Sequence, residues 1–275
     1  NPVCDFLERQ LRVRWMEPGD DGIFYVPAAK LTLTTGSKAW HPGRLISRKI
    51  RNECSFWTYR PDRMDKLGIP AKLRYSKKEH NQRGRASTNW LSHHRMGRSV
   101  TIPFAHAFTK WYEKYGKTNP EFFNLLPDGT RRPNPFTWSK GRPRYCTMCV
   151  TSESFIKQIV KDHPRHGDRQ MINVNENDNT GSCVCANCLK SDNSPVPDEV
   201  RLKKAKELFA QKQRNWELDS LGSLSDRYCK FFLAVQQEAE RQNIKNPQVA
   251  GLIYSNYSEP PSDKIKLNDR IYLRF

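Results

Sequence analysis

Gln170-Met171-Ile172-Asn173-Val174-Asn175-Glu176-Asn177-Asp178 is the stretch whose reading decides the fold. An apolar run of strand character passes directly into a polar segment that holds two carboxylates among asparagines. Upstream, Ser152 to Asp162 carries Phe155, Ile156, Ile159 and Val160 at helical spacing, with Glu153 in its first turn, Lys157 and Lys161 late, and Pro164 as a stop. Downstream, Pro197-Asp198-Glu199 opens a helix with Leu202, Ala205, Leu208 and Phe209 inward. A capping-box pattern, Ser223-x-x-Asp226, then opens a longer helix bearing Leu224, Tyr228, Phe231, Phe232, Val235 and Ala239. Gln248 to Tyr254 and Asp269 to Phe275 read as further strands. Strand, loop, helix and strand in repetition predict an α/β fold built on a parallel sheet or barrel.

Toward the amino terminus, Ser99 to Phe104 reads as a short strand and Ala105 to Tyr115 as a helix with Phe108, Trp111 and Tyr112 on one face. From Gly116 to Arg144 the turn signals Pro127-Asp128-Gly129 and Pro133-Asn134-Pro135 predict a long loop. In residues 1–36, a helix ending near Arg12 is followed by Val13-Arg14-Trp15, a turn at Gly19 and Ile23 to Val26. These predict the end of a preceding α/β domain, with 37–98 as a basic linker and barrel entry and 99–275 as part of a barrel. The chain starts at Asn1 in the middle of a helical pattern, so it reads as a piece of a longer protein whose remaining strands would lie beyond Phe275.

A content of 36% hydrophobic residues with 11% aromatics is enough for a sizeable core and excludes disorder of the whole chain. No apolar run reaches the roughly 20 residues that span a bilayer. The formal charge of +18 is uneven: residues 1–150 carry 28 Lys and Arg against 12 Asp and Glu, and residues 151–275 carry 19 against 17. Such an excess suits either phosphate contacts or a solvated basic face on an ordinary enzyme. Five of the eight cysteines fall in two clusters, Cys146-x-x-Cys149 and Cys183-x-Cys185-x-x-Cys188. The spacings allow disulfides or zinc ligation.

Glu176 and Asp178 lie just past a strand, and the carboxyl ends of parallel strands are where α/β barrels build their sites. A pair of carboxyl groups is what glycoside hydrolysis needs, one to protonate the leaving oxygen and one to act as nucleophile, base or orienter. A polar loop whose side chains cap their own backbone uses the same residue types. Calcium fits less well, because Asp178 stands where the sharp turn needs glycine and no terminal Glu lies at the required distance. Asn175 adds an amide to the same loop. His106 at a strand end offers a hydrogen bond to a sugar hydroxyl. Trp111, Trp138 and Tyr257 offer faces for stacking on a sugar, although packing in the core is the commoner use of any one aromatic. Glu259, before Pro260-Pro261, is a reserve acid.

Several of these motifs together are familiar. Asp5 to Arg9 with Val13-Arg14-Trp15 and Pro18-Gly19, Phe104-Ala105-His106, Tyr145-Cys146-Thr147-Met148-Cys149, Asn177-Asp178 ahead of Cys183-Val184-Cys185-Ala186-Asn187-Cys188, and Tyr254 to Pro261 are the residues concerned. Over most of the chain they resemble a bacterial domain-of-unknown-function family of glycoside-hydrolase type, related to α-glucuronidases and linked to endo-β-N-acetylglucosaminidase activity. The resemblance implies a secreted or periplasmic protein with a TIM barrel, a carbohydrate (glycan) substrate, no cofactor and no nucleic-acid partner. Where that family has Gly after the Asn-Asp pair, this chain has Asn179.

Residues and resemblance together point to hydrolysis of a glycosidic bond at a β-linked N-acetylglucosamine, with Glu176 as general acid and Asp178 orienting the substrate or stabilising an oxocarbenium-like transition state. The resemblance further implies that an N-acetyl carbonyl of the substrate could serve as nucleophile. Two other classes compete. One is a non-catalytic carbohydrate- or polyanion-binding barrel that uses the basic first half; the other is a zinc-stabilised nucleic-acid binder, which fits the charge and the cysteines but not the strand and helix alternation.

Overall fold

The structure is a computed structural model that describes residues 2–30, 32–33, 36, 47–48, 61–66, 68, 70–74, 76–94, 96–98, 102–103, 105–164, 171–178 and 181–274. The chain divides into two compact units, residues 1–101 and 102–275. In the first, α1 (Pro2–Gln10) leads to an antiparallel pair, β1 (Arg14–Trp15) with β2 (Ile23–Phe24). A second pair joins β3 (Ser47–Arg48) to β4 (Gly97–Arg98), with α2 (Pro61–Lys66) and α3 (Lys77–His93) between them in sequence. The basic stretch expected to be a linker thus contains a helix of 17 residues. Its start is a true capping box: the Ser76 hydroxyl accepts from the Glu79 amide at 3.2 Å and the Glu79 carboxylate accepts from the Ser76 amide at 2.7 Å.

The second unit is mixed α/β. Its helices are α4 (Trp111–Tyr115), α5 (Glu153–Asp162), α6 (Ala186–Ser191), α7 (Asp198–Ala210), α8 (Trp216–Leu221) and α9 (Ser225–Arg241). Its strands β5 (Met171–Asn173), β6 (Gln248–Leu252) and β7 (Ile271–Arg274) form one sheet in sequence order, both pairs parallel. Each crossover carries β5 or β6 to its neighbour through intervening chain, as parallel pairing requires. Among the described residues the sheet does not close into a barrel.

Helix α5 forms as its pattern predicts. The Ser152 hydroxyl accepts from the Phe155 amide at 3.4 Å, and Phe155, Ile156, Ile159 and Val160 are buried. Helix α9 covers the sheet: Phe231 stacks on Phe155 with centroids 5.9 Å apart, while a Cβ at Gly251 of β6 would come within 2.6 Å of the Phe232 ring. Only glycine lets helix and strand approach this closely.

Two local expectations need correction. The helix foreseen over 105–115 covers only Trp111–Tyr115, because the Ala107 amide is committed to the Asn175 carbonyl at 2.9 Å. Pro103 and residues 105–107 lie beside the extension of β5: Asn173 Nδ2 donates to the Ala105 carbonyl at 2.7 Å and Asn175 Nδ2 to the Pro103 carbonyl at 3.1 Å. Most of the strand foreseen over 99–104 falls outside the described residues. The capping box at Ser223 and Asp226 does not form. Helix α9 starts at Ser225, and the Asp226 carboxylate instead accepts from the Ser262 amide and hydroxyl, both at 2.7 Å, so a distant loop outcompetes the local amides. The short helix α8 had no sequence expectation at all.

The core also holds charge. Asp192, just after α6, is fully buried between Arg201 of α7 and Arg227 of α9, at 2.7 Å from each. Taking away one member of a buried pair strands the others in low dielectric, which costs about 3–5 kcal/mol. Asp192→Ala is expected to lower unfolding free energy by that amount in urea denaturation, whereas Asp128→Ala, whose ion pair with Arg132 is half exposed, should cost under about 1 kcal/mol.

Candidate functional site

Beyond β5 the chain stays extended and pinned: the Val174 amide donates to the Ala250 carbonyl at 2.9 Å, and the Asn173 carboxamide oxygen accepts from the Asn175 amide at 3.1 Å. This delivers Glu176 and Asp178 to the carboxyl end of the parallel strands. Glu176 is buried, with its carboxylate accepting from the Asn177 amide at 3.1 Å and the Met148 amide at 3.4 Å. Burial pushes its pKa up to about 7 from the ordinary 4.5; the amides and the Tyr228 hydroxyl oppose the rise, and Glu217 adds to it. Two lids of aromatic surface account for the lost water. Tyr228 and Tyr257 are buried and stack with centroids 3.8 Å apart and planes 14° from parallel. Burial first, and then the Glu176 charge, lifts both phenols well above the usual tyrosine range.

Asp178 differs. It is half-buried, and its Oδ1 accepts from the Tyr254 hydroxyl at 3.0 Å, the tyrosine being half exposed. His106 is exposed, and its Nδ1 lies 2.7 Å from the Glu176 carbonyl oxygen. Because a carbonyl only accepts, Nδ1 carries the hydrogen, and Nε2 is the acceptor of the neutral ring. Asn175 and Asn177 are buried, and among the described residues the carboxamide oxygen of each has no hydrogen-bond partner. The structure thus brings Glu176, Asp178, His106 and Asn175 together on one strand end. Tyr257 belongs underneath, as part of the packing that buries Glu176. Trp111 is half-buried and set edge-on against Phe108 and Phe155 in the aromatic core, and Glu259 is exposed on the stretch after β6. Trp138 is exposed and lies against Tyr145, beneath the Arg142 guanidinium.

Two features of the site had no signal that the sequence reading could use. Glu217 of α8 is buried and accepts from the amides of Gly181 and Ser182, the latter at 2.6 Å. Burial raises its pKa against the pull of those amides. The Gly181 carbonyl accepts in turn from Asn124 Nδ2 at 2.6 Å and from the Thr147 hydroxyl at 2.7 Å. Gly181 itself has φ +127, and a Cβ there would come within 2.9 Å of Asn134. Three side chains from distant segments, Asn124, Thr147 and Glu217, therefore hold the backbone just past Asp178.

Of the clustered cysteines, Cys146 stands apart, with its thiol 3.4 Å from Asn124 Oδ1. Cys149, Cys183, Cys185 and Cys188 converge instead, all as free thiols.

The family model described as a domain of unknown function (DUF4838) matches residues 46–275. No curated protein and no solved structure matches the chain.

A glutamic acid whose folded pKa lies above its unfolded one binds more protons when folded, so stability falls as pH rises from about 4.5 to about 7 and is level above that. Glu176→Gln removes this penalty. The variant should gain on the parent by on the order of 3 kcal/mol between pH 4.5 and pH 7.5, as read from paired denaturation curves across that range. Equal slopes for the two proteins would mean that Glu176 ionises normally.

Proposed function

This chain belongs to the DUF4838 family, and we propose that it is the site-bearing part of a glycoside hydrolase acting on complex glycans, at a β-linked N-acetylglucosamine. The observation that carries the reading is Glu176, a carboxyl group that burial keeps protonated to about pH 7 at the end of a parallel strand. A general acid for glycoside cleavage has to hold its proton at working pH, and burial is the usual way to arrange that. Asp178 is two residues on and better hydrated. Held by Tyr254, it suits the complementary role of orienting substrate or stabilising positive charge at the anomeric carbon. His106 Nε2 is placed to accept from a sugar hydroxyl.

In this reading the sheet is one arc of a TIM barrel. Strands β5, β6 and β7 run parallel and in sequence order, and consecutive parallel neighbours are how such a barrel is laid out. Activity on glycans goes with a secreted or periplasmic location and with no role for nucleic acid.

Glycan release from a panel of N-linked glycoproteins tests the proposal. The full-length parent should release glycan, and Glu176→Gln and Asp178→Asn should each lower turnover by about 100-fold or more while the fold is kept. Release that survives both substitutions would remove this loop from the chemistry. Glycan binding without release would point to a non-catalytic carbohydrate-binding barrel.

A further inference from the structure

We propose that Cys149, Cys183, Cys185 and Cys188 form a tetrathiolate site for one structural zinc ion, set behind the loop that carries Glu176 and Asp178. The geometry is that of a metal site more than of bridges. The four sulfurs lie within 4.8 Å of one another, with Cys149 Sγ 3.7 Å from Cys185 Sγ and 3.8 Å from Cys188 Sγ. A disulfide needs about 2.05 Å. Four sulfurs at the vertices of a tetrahedron with zinc–sulfur arms of about 2.3 Å are spaced by about 3.8 Å. Three of the four cysteines are buried and Cys185 is half-buried, and sulfurs within 4.8 Å of one another leave room for one ion between them.

The surroundings suit sulfur in its anionic, ligating form. The Leu125 amide donates to Cys183 Sγ at 3.2 Å, and the Thr151 hydroxyl lies 3.1 Å from Cys188 Sγ. Hydrogen bonds of this kind orient and steady thiolate ligands. Two guanidinium groups are at hand. The Arg131 guanidinium is within electrostatic reach of Cys149 and Cys183, and Arg227 donates to the Cys183 carbonyl at 2.8 Å. Binding releases four protons from the thiols and leaves a zinc tetrathiolate of net charge −2, which two guanidiniums match. Zinc fits better than the hard cations, which take oxygen ligands.

The ligands come from two places, Cys149 and the 183–188 loop. Cys149 is next to Met148, whose amide reaches Glu176, and the loop is continuous with the backbone after Asp178. An ion here would tie both together without touching substrate. The inference stands on the sulfurs alone and does not require that the protein be a hydrolase.

Metal content of the full chain, expressed with zinc supplied and purified without chelator, is the test. We expect about one zinc per chain, released by an organomercurial as about four thiols react. A cobalt-loaded sample should show the intense visible bands of tetrahedral cobalt–thiolate. Cys146→Ser should keep the full zinc content, whereas Cys185→Ser and Cys188→Ser should lose most of it; if those two variants do not fold, the zinc and cobalt measurements on the parent decide. Zinc far below one per chain, an intact mass short by the hydrogens of two disulfides, or stoichiometric iron with ferric-thiolate colour would each overturn the proposal, whatever the result of the glycan assay.

Discussion

The carboxylate of Asp192 is the contact on which the second unit depends. Arg227 grips it twice, Nε at 2.8 Å and Nη2 at 2.7 Å, and Arg201 adds a third bond at 2.7 Å. Neither arginine stops there. Arg201 also donates to the carbonyls of Leu189 and Leu221, and Arg227 to that of Cys183. One buried ionic knot thereby ties the cysteine loop, α6, α7, the end of α8 and α9 into one arrangement. Such a knot contributes little net stability compared with a well-packed apolar core, because desolvation offsets the attraction. What it does supply is a fixed geometry: each guanidinium is a rigid fork, so helices cannot slide without breaking several charged hydrogen bonds at once.

That rigidity reaches the site through Arg227 and α9. One turn of the same helix supplies Arg227 to the knot and Tyr228 to the face that buries Glu176. The Arg227 charge also acts on Glu217, which holds the Gly181 and Ser182 amides. Glu176 and Glu217 are therefore buried acids with opposite surroundings. Glu217 has a nearby cation and two amides, and it anchors backbone. Glu176 has two amides and a phenol and, among the described residues, no cation in contact; burial is the largest influence on both acids.

Much of the second unit was legible because its helices bury one face and cap themselves locally. Ser152, the apolar stripe of α5 and the aromatic stripe of α9 are signals within about one or two turns of each other. The failures share one cause: a partner far away in sequence took a group that local rules assign nearby. The Ala107 amide went to Asn175 and not to a helical carbonyl, and the Asp226 carboxylate went to Ser262. The capping box at Ser76 was legible by the same local rule but lay in a basic stretch with little apolar periodicity, which hid α3. In the site, Glu176, Asp178, His106 and Asn175 could be named because the residues just past a parallel strand converge at its carboxyl end. Glu217 could not, since only the folded path of α8 brings it to Gly181. Tyr257, expected to offer a sugar face, is buried and stacks on Tyr228 beside Glu176.

Asn175 and Asn177 complete the physical account of this strand end. Each spends its amide nitrogen on a carbonyl, Asn175 on Pro103 and Asn177 on Cys146 at 2.7 Å. Those bonds lock the register of 173–178 against two neighbouring segments. The cost is that both carboxamide oxygens lie buried without a partner among the described residues. Unsatisfied acceptors of this sort cost about 1–3 kcal/mol each, and proteins keep them where something else completes the bond. They flank Glu176 on either side in sequence. Two such acceptors on either side of a buried acid concentrate unmet polarity at this one strand end, where water or another donor would complete the bonds.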